Sequence, residues 1–267
     1  MLLIGQKNNL EIIDSWTDLP SFLIIQGDTH AGKEYMTLYL CEKFNLRFVK
    51  MKNGINDVRE MITYITPYSN TLYFFEDFDK ASIQAKNSLL KITEETVPGN
   101  YIVISGHSQI KTLESRAKKI IMEPYTYEDM VNYCYGGHFE PKNYEKLYKC
   151  GINTPSKVVI YETVPDLEDL INFSMDVFDK ITYITPTLLF KIVYNFENRY
   201  DNDKVDKCML FLEILINLIS DKIHNNYRYS YRGILQIITK YKNELQLEYT
   251  LKRRMLLFKM FYEIQKL

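Results

Sequence analysis

The chain has 267 residues, 46% of them hydrophobic. That is more than one typical domain and enough apolar residue for one sizeable core or two smaller ones, which excludes a mainly disordered chain. Thirty-three Lys and Arg stand against 34 Asp and Glu, a net charge of −1, so a chain-wide polycationic coat for nucleic acid is excluded and any such contact must be local.

In chain order, the first apolar run, Met1–Ile4, is short and has no basic segment before it. No secretory signal is expected, and the chain is assigned to the cytoplasm. Residues 1–124 then alternate short apolar runs with amphipathic stretches, the pattern of a parallel sheet with crossover helices. Strands are expected at Phe22–Gln26, Arg47–Met51, Thr71–Phe75, Tyr101–Ser105 and Lys119–Met122. Helices are expected at about Gly32–Phe44, Asp57–Ile65, Ser82–Glu95 and Ile110–Ala117. Near-continuous apolar strands such as Phe22-Leu23-Ile24-Ile25 fit a sheet with helices on both faces.

After Pro124 no strong strand pattern returns. Residues 126–161 hold two short helical patterns around Gly136-Gly137, then the turn Gly151–Pro155 and a further helix. Long helical patterns follow at 166–180, 186–198, 203–225, 229–243 and 245–265. The most apolar stretch, Cys208–Ser220, is 13 residues long and carries Glu213 and Asn217. This is short of the roughly 20 residues that span a bilayer, so it reads as a buried helix and no membrane partner is expected. Residues 160–221 carry 12 acidic and 5 basic side chains, and residues 222–267 carry 3 acidic and 10 basic. Such a split suits the solvated faces of packed helices or a docking or DNA-binding face. Cys41, Cys134, Cys150 and Cys208 form no C-x-x-C pair, so neither a zinc site nor a disulfide framework is indicated.

Chemistry concentrates at two strand ends. Gly27-Asp28-Thr29-His30-Ala31-Gly32-Lys33-Glu34 follows the first strand and opens a helix. A phosphate-binding loop must sit there, so that backbone N–H groups and the helix N-terminus face an anion. Glu34 stands where the magnesium-binding Ser or Thr hydroxyl belongs. A carboxylate within about 5 Å of phosphates costs about 3 kcal/mol at an effective dielectric of 20, so nucleotide binding is expected to be weakened or lost. The third strand ends in Glu76-Asp77, as metal-dependent phosphate chemistry requires of a Walker B strand. The usual order, Asp for the metal and then Glu for the attacking water, is inverted. Asp77 would reach the water poorly, and Glu76 would crowd the metal.

The stretch Lys80-Ala81-Ser82-Ile83-Gln84-Ala85-Lys86-Asn87-Ser88-Leu89-Leu90-Lys91-Ile92-Thr93-Glu94-Glu95 resembles one found in AAA+ clamp-loader ATPases. Ser115-Arg116-Ala117 resembles their Ser-Arg-Cys motif. Leu3-Ile4-Gly5-Gln6 looks like the family's opening Ile-Gly-Gln segment, and Lys157 lies nearest the position of its sensor 2 Arg. Ala117 in place of Cys, Thr96 in place of Pro and Lys157 in place of Arg depart from the pattern, the last bearing on closure of a lid over nucleotide. No cysteine lies between Cys41 and Cys134, so the family's zinc module is absent.

The resemblance is strongest to the delta-prime type of DNA polymerase III clamp-loader subunit, bacterial or phage. It implies a five-stranded parallel AAA+ P-loop domain at 1–124, a small helical lid at 125–165 and an all-α, oligomerising collar at 166–267. It further implies a degenerate nucleotide site of Gly27, Gly32, Lys33, Glu34, Glu76 and Lys157, with Asp77 in the catalytic position and Arg116 as an arginine finger for a neighbouring subunit. ATP and magnesium would bind weakly, with no tightly held cofactor and no zinc. The expected partners are other AAA+ clamp-loader subunits in a hetero-oligomeric ring, the sliding clamp, and primer-template DNA through the complex. Two alternatives stay open: an active ATPase motor subunit of such a ring, and a degenerate AAA+ adaptor or scaffold outside replication. For Arg116 the alternative is a cap on the preceding helix.

Overall fold

The structure, a computed structural model, describes residues 3–107, 110–134, 144–163, 166–200, 207–225, 229–247 and 253–267. The chain divides into two compact units, Met1–Tyr133 and Cys134–Leu267.

The first unit runs α1 (Lys7–Asp14), β1 (Phe22–Gln26), α2 (Lys33–Phe44), β2 (Arg47–Met51), α3 (Ile55–Tyr64), β3 (Thr71–Phe75), α4 (Ile83–Glu94), β4 (Asn100–Gly106), α5 (Lys111–Glu114), β5 (Lys118–Ile121) and α6 (Tyr127–Tyr133). All five strands are parallel, in the order β2-β3-β4-β1-β5. Alternation along each strand divides its side chains between two cores. Leu23, Ile25, Leu72, Phe74, Val103 and Ile120 pack with Ile13 of α1 and Met36 and Leu40 of α2. Phe22, Ile24, Phe75, Ile102 and Ile104 pack with Val58 and Met61 of α3 and Ala85, Leu89 and Ile92 of α4. Full burial of each such side chain stabilises the fold by about 1.5–3 kcal/mol. This is why β1, covered on both faces, is apolar at four consecutive positions.

Local signals set several boundaries. Ser82 Oγ accepts the Ala85 N–H at the start of α4, an N-cap. Asn45 ends α2 in the left-handed conformation, φ 51°, which asparagine tolerates better than most residues. The expected helix at 110–117 is only Lys111–Glu114, because residues 115–117 turn to bring Lys118 beside Leu23 at the start of β5. Gly32, expected inside α2, is its N-cap. Helix α1 was not expected. It carries few apolar residues and is held by distant partners: Asn9 Nδ2 donates to the Ile121 carbonyl at 2.8 Å. Gln6, just before it, donates to the Glu123 carbonyl at 2.7 Å and accepts the Glu123 N–H at 3.0 Å.

The second unit comprises α7 (Tyr144–Lys149), α8 (Pro155–Thr163), α9 (Leu167–Lys180), α10 (Pro186–Tyr200), α11 (Lys207–Asn225), α12 (Tyr229–Leu247) and α13 (Arg253–Gln265). Helix α11 packs against α7, α9 and α12. Its Phe211, Leu212, Leu215 and Ile219 are fully buried, the cover that a helix apolar on most sides needs. Rings of Phe173, Phe196, Tyr200, Phe211 and Phe261 pack tilted around it. Gly151, at φ 90°, passes so close to α11 that a Cβ would lie 2.0 Å from Asn217 Nδ2. Gly136-Gly137, residues 203–206 of the helical stretch expected at 203–225, 248–252 of that expected at 245–265, and 164–165 of the expected lid–collar linker lie outside the described residues. No described helix is long and apolar enough to cross a membrane.

Candidate functional site

The loop between β1 and α2 is shaped by its glycines. A Cβ on Gly27 would lie 2.8 Å from Met122 Cβ, so glycine is required where the loop passes the exit of β5. Gly32 has φ 82°, and a Cβ there would meet the Tyr125 hydroxyl at 2.8 Å; its conformation and its neighbour both exclude a side chain. Between them the Asp28 carbonyl accepts the Ala31 N–H at 3.1 Å, and His30 adopts φ 67°. The Tyr125 hydroxyl donates to the Ala31 carbonyl at 3.2 Å. Burial, aided by Asp129, raises that hydroxyl above its ordinary value, keeping it a neutral donor. Lys33 opens α2 with its ammonium 6% exposed, 3.8 Å from Asp77 Oδ1. It donates to the carbonyls of Gly27 at 3.2 Å and Asp28 at 2.8 Å. A positive charge and a helix N-terminus thus lie together at this loop, the elements of an anion site.

Strand β3 carries Glu76 and Asp77 to the same end of the sheet. Asp77 is left-handed, φ 51°, ψ 43°, and its N–H donates to Ser105 Oγ at the end of β4 at 3.1 Å. Its carboxylate receives Lys80 Nζ at 2.7 Å. Burial raises the Asp77 carboxyl, but the hydrogen bond from Lys80 and the charges of Lys80, Lys33 and His107 outweigh it and hold the group below its ordinary value. Asn53 Nδ2 steadies the turn by donating to the Glu76 carbonyl at 2.6 Å.

Glu34 and Glu76 are joined by a third residue. Lys50 Nζ lies 2.8 Å from Glu34 Oε2 and 2.7 Å from Glu76 Oε2. The hydrogen bonds that the Lys50 ammonium donates to Glu34 and then Glu76 raise it above its ordinary value, so it stays charged. The carboxylate at 34 is therefore not bare, as the sequence alone suggested, but paired. A divalent ion at a phosphate loop needs the loop's hydroxyl or carboxylate and an acid of the third strand as ligands. Here both are bound to an ammonium, and no three metal-binding side chains cluster among the described residues. The donor set does not fit a divalent ion.

Two further expected residues are Arg116 and Lys157. Arg116 follows α5; Nη1 donates to the Thr112 carbonyl at 2.8 Å and Nη2 to Glu94 Oε1 at 2.6 Å. The guanidinium thus caps α5 within this chain, and with its side chain 35% exposed it also lies at the surface. Lys157 belongs to the second unit, where Nζ donates to the Gly151 carbonyl at 2.9 Å and the Asn153 Oδ1 at 3.4 Å.

No family model matches the chain, and no curated protein matches it in sequence. Solved structures do. A DNA polymerase III gamma subunit-related protein from Thermotoga maritima superposes with a TM-score of 0.54 at 16% identity, covering 98% of this chain and 99% of that one. The RuvB Holliday junction branch migration motor of the same organism superposes with a TM-score of 0.51 at 13% identity, covering 97% and 87%, and its A156S mutant with 0.52 at 14%, covering 97% and 87%. The chain has the AAA+ fold. At such identities the likeness speaks for the AAA+ architecture alone.

In this chain the expected loop and strand-end residues, Gly27, Gly32, Lys33, Glu34, Glu76 and Asp77, do come together. Four more belong with them and were not foreseen: Lys50, Asn53, Ser105 and Tyr125. Ser105 could have been found from its place at the C-terminal end of a predicted parallel strand, where ligands of such sheets bind. Lys50 could not, since its role depends on how β2 pairs with β3.

Proposed function

We propose that this chain is a non-hydrolysing or weakly hydrolysing clamp-loader subunit of the delta-prime type. It acts in the cytoplasm during DNA replication, in a hetero-oligomeric ring of AAA+ subunits that loads a sliding clamp onto primer-template DNA. The observation that carries this reading is the pairing of a phosphate loop whose metal ligands are tied up with an Arg at the surface in the Ser115-Arg116-Ala117 segment. A guanidinium suits a finger because it is always charged, planar and able to hold two phosphate oxygens. In this reading residues 125–165 serve as the lid, with Lys157 in place of the sensor Arg, and 166–267 as the collar. The isolated chain binds ATP·Mg²⁺ poorly and turns it over negligibly.

Arg116→Ala and Arg116→Lys in the reconstituted ring test the assignment. Both should leave this chain folded and assembled yet reduce a partner subunit's ATP turnover, since fingers contribute about 10³–10⁵ in rate where measured. Lys keeps the charge and loses the fork, so it should not rescue. Unchanged turnover and clamp loading would sink the finger role and leave the α5 cap as the whole function of Arg116. Lys33, buried and 3.8 Å from Asp77, favours a second reading as an active motor subunit; micromolar ATP·Mg²⁺ binding by the isolated chain would promote it.

A further inference from the structure

We propose that Lys50 is the resident cation of this loop: its ammonium holds the place between Glu34 and Glu76 that a divalent ion would otherwise take. This rests on residues 27–34 being a phosphate loop and not on any role in a clamp-loading ring.

The placement follows from the sheet. Lys50 pairs with Phe74 across β2 and β3, and Glu76 lies two residues beyond Phe74. That is the diagonal neighbour on the same face, within reach of a long side chain. Phe48 and Phe74, which precede Lys50 and Glu76 by two residues each, both pack in the core beneath α2. Lys50 and Glu76 thus project toward the face covered by α2, and Glu34 in the first turn of α2 completes the triad. The strand pairing and the helix together aim three side chains at one point.

Charge is matched there as well. Glu34 and Glu76 share Lys50, while Asp77 is flanked by Lys33 and Lys80, so three carboxylates meet three ammonium groups. A divalent ion entering between Glu34 and Glu76 must displace a cation that is tethered to β2 and so present at high effective concentration. Magnesium also dehydrates reluctantly and demands near-octahedral oxygens, which two carboxylates already bridged by an ammonium do not offer. The substitution at 34 is thereby explained as one half of a pair: a carboxylate replaces the hydroxyl because its counter-ion is built into the neighbouring strand.

The test uses Mn²⁺ binding to the isolated full-length chain, read as loss of the free-ion EPR signal, with no nucleotide present. Wild type should leave millimolar Mn²⁺ free. Lys50→Met, which keeps the stem and removes the charge, should take up one ion per chain at least about tenfold more tightly than wild type, a difference of about 1.4 kcal/mol. Adding Glu76→Gln to that variant should abolish the uptake. Should Lys50→Met not fold, Lys50→Gln, whose amide keeps one hydrogen bond to a carboxylate, is read in its place with the same expectation. Wild-type uptake that is lost in Glu34→Gln would overturn the proposal. So would a folded Lys50 variant no tighter than wild type, because Glu34 and Glu76 would then not be a cation seat. Wild-type uptake would also speak for the active motor subunit, whereas a Lys50 variant no tighter than wild type leaves the ring assignment standing; Arg116 and assembly test that assignment separately in either case.

Discussion

Gln6 is the residue whose removal should be most informative about how the loop between β1 and α2 is held. Its side chain is fully buried and bonds both backbone groups of Glu123, at 2.7 and 3.0 Å. Glu123 stands between Met122, which crowds Gly27, and Tyr125, which crowds Gly32. Gln6 Oε1 also accepts an N–H of Asn9 Nδ2 at 2.9 Å. Loss of these three bonds costs about 1.5–4.5 kcal/mol, and the one buried methylene that truncation to Ala removes adds about 0.8 kcal/mol. Gln6→Ala should therefore destabilise the first unit by about 2–5 kcal/mol, and Gln6→Met, which keeps the methylenes, by about 1.5–4.5 kcal/mol. Asn9 retains its bond to Ile121, so α1 is not left without an anchor. The chain has one tryptophan, Trp16, and it packs against the core under α2. Its fluorescence during urea unfolding consequently reports this unit. A Gln6→Met midpoint that places stability within about 0.5 kcal/mol of wild type, with unchanged slope, would refute the clamp on Glu123.

Two further outcomes are expected. Leu215, fully buried in α11, should cost about 2–5 kcal/mol as Leu215→Ala, read by helical circular dichroism, and Leu215→Asp should give insoluble protein or lost assembly; soluble, assembled Leu215→Asp protein would place α11 at the surface. Asp77 titrates below its ordinary 3.8 in the folded chain, so it contributes stability that is present above that value and lost as pH falls through the lower folded one. Asp77→Asn should flatten the acid limb of the Trp16 unfolding midpoint by about 1 kcal/mol or less, and an unchanged limb would mean that its lysine contacts carry no net energy.

Much of the first unit is legible from one-dimensional pattern. Strands β1, β2 and β3 have the expected bounds, because an apolar run bounded by turn residues leaves little freedom once both faces must be covered. The loop at Gly27–Glu34 is legible from its glycines and lysine standing between a strand and a helix, although the contacts of Met122 and the Tyr125 hydroxyl that require those glycines are not. Composition also marks α11, since a helix this apolar can be soluble only if surrounded.

Other features depend on contacts between residues far apart in the chain, and local pattern carries no trace of them. Helix α1 is mostly polar and is fixed by bonds from Gln6 and Asn9 to residues 112 to 117 positions away. Helix α5 is shorter than its periodicity suggests, because the chain must turn within residues 115–117 to bring Lys118 of β5 beside Leu23 of β1. The chemistry at position 34 is the clearest case. A carboxylate in a phosphate loop reads as repulsion when taken alone, yet its charge is met by Lys50, 16 residues on. Only the pairing of β2 with β3 brings that ammonium to Glu76 as well, since register decides which side chains share a face and a one-residue slip would send Lys50 to the opposite side of the sheet.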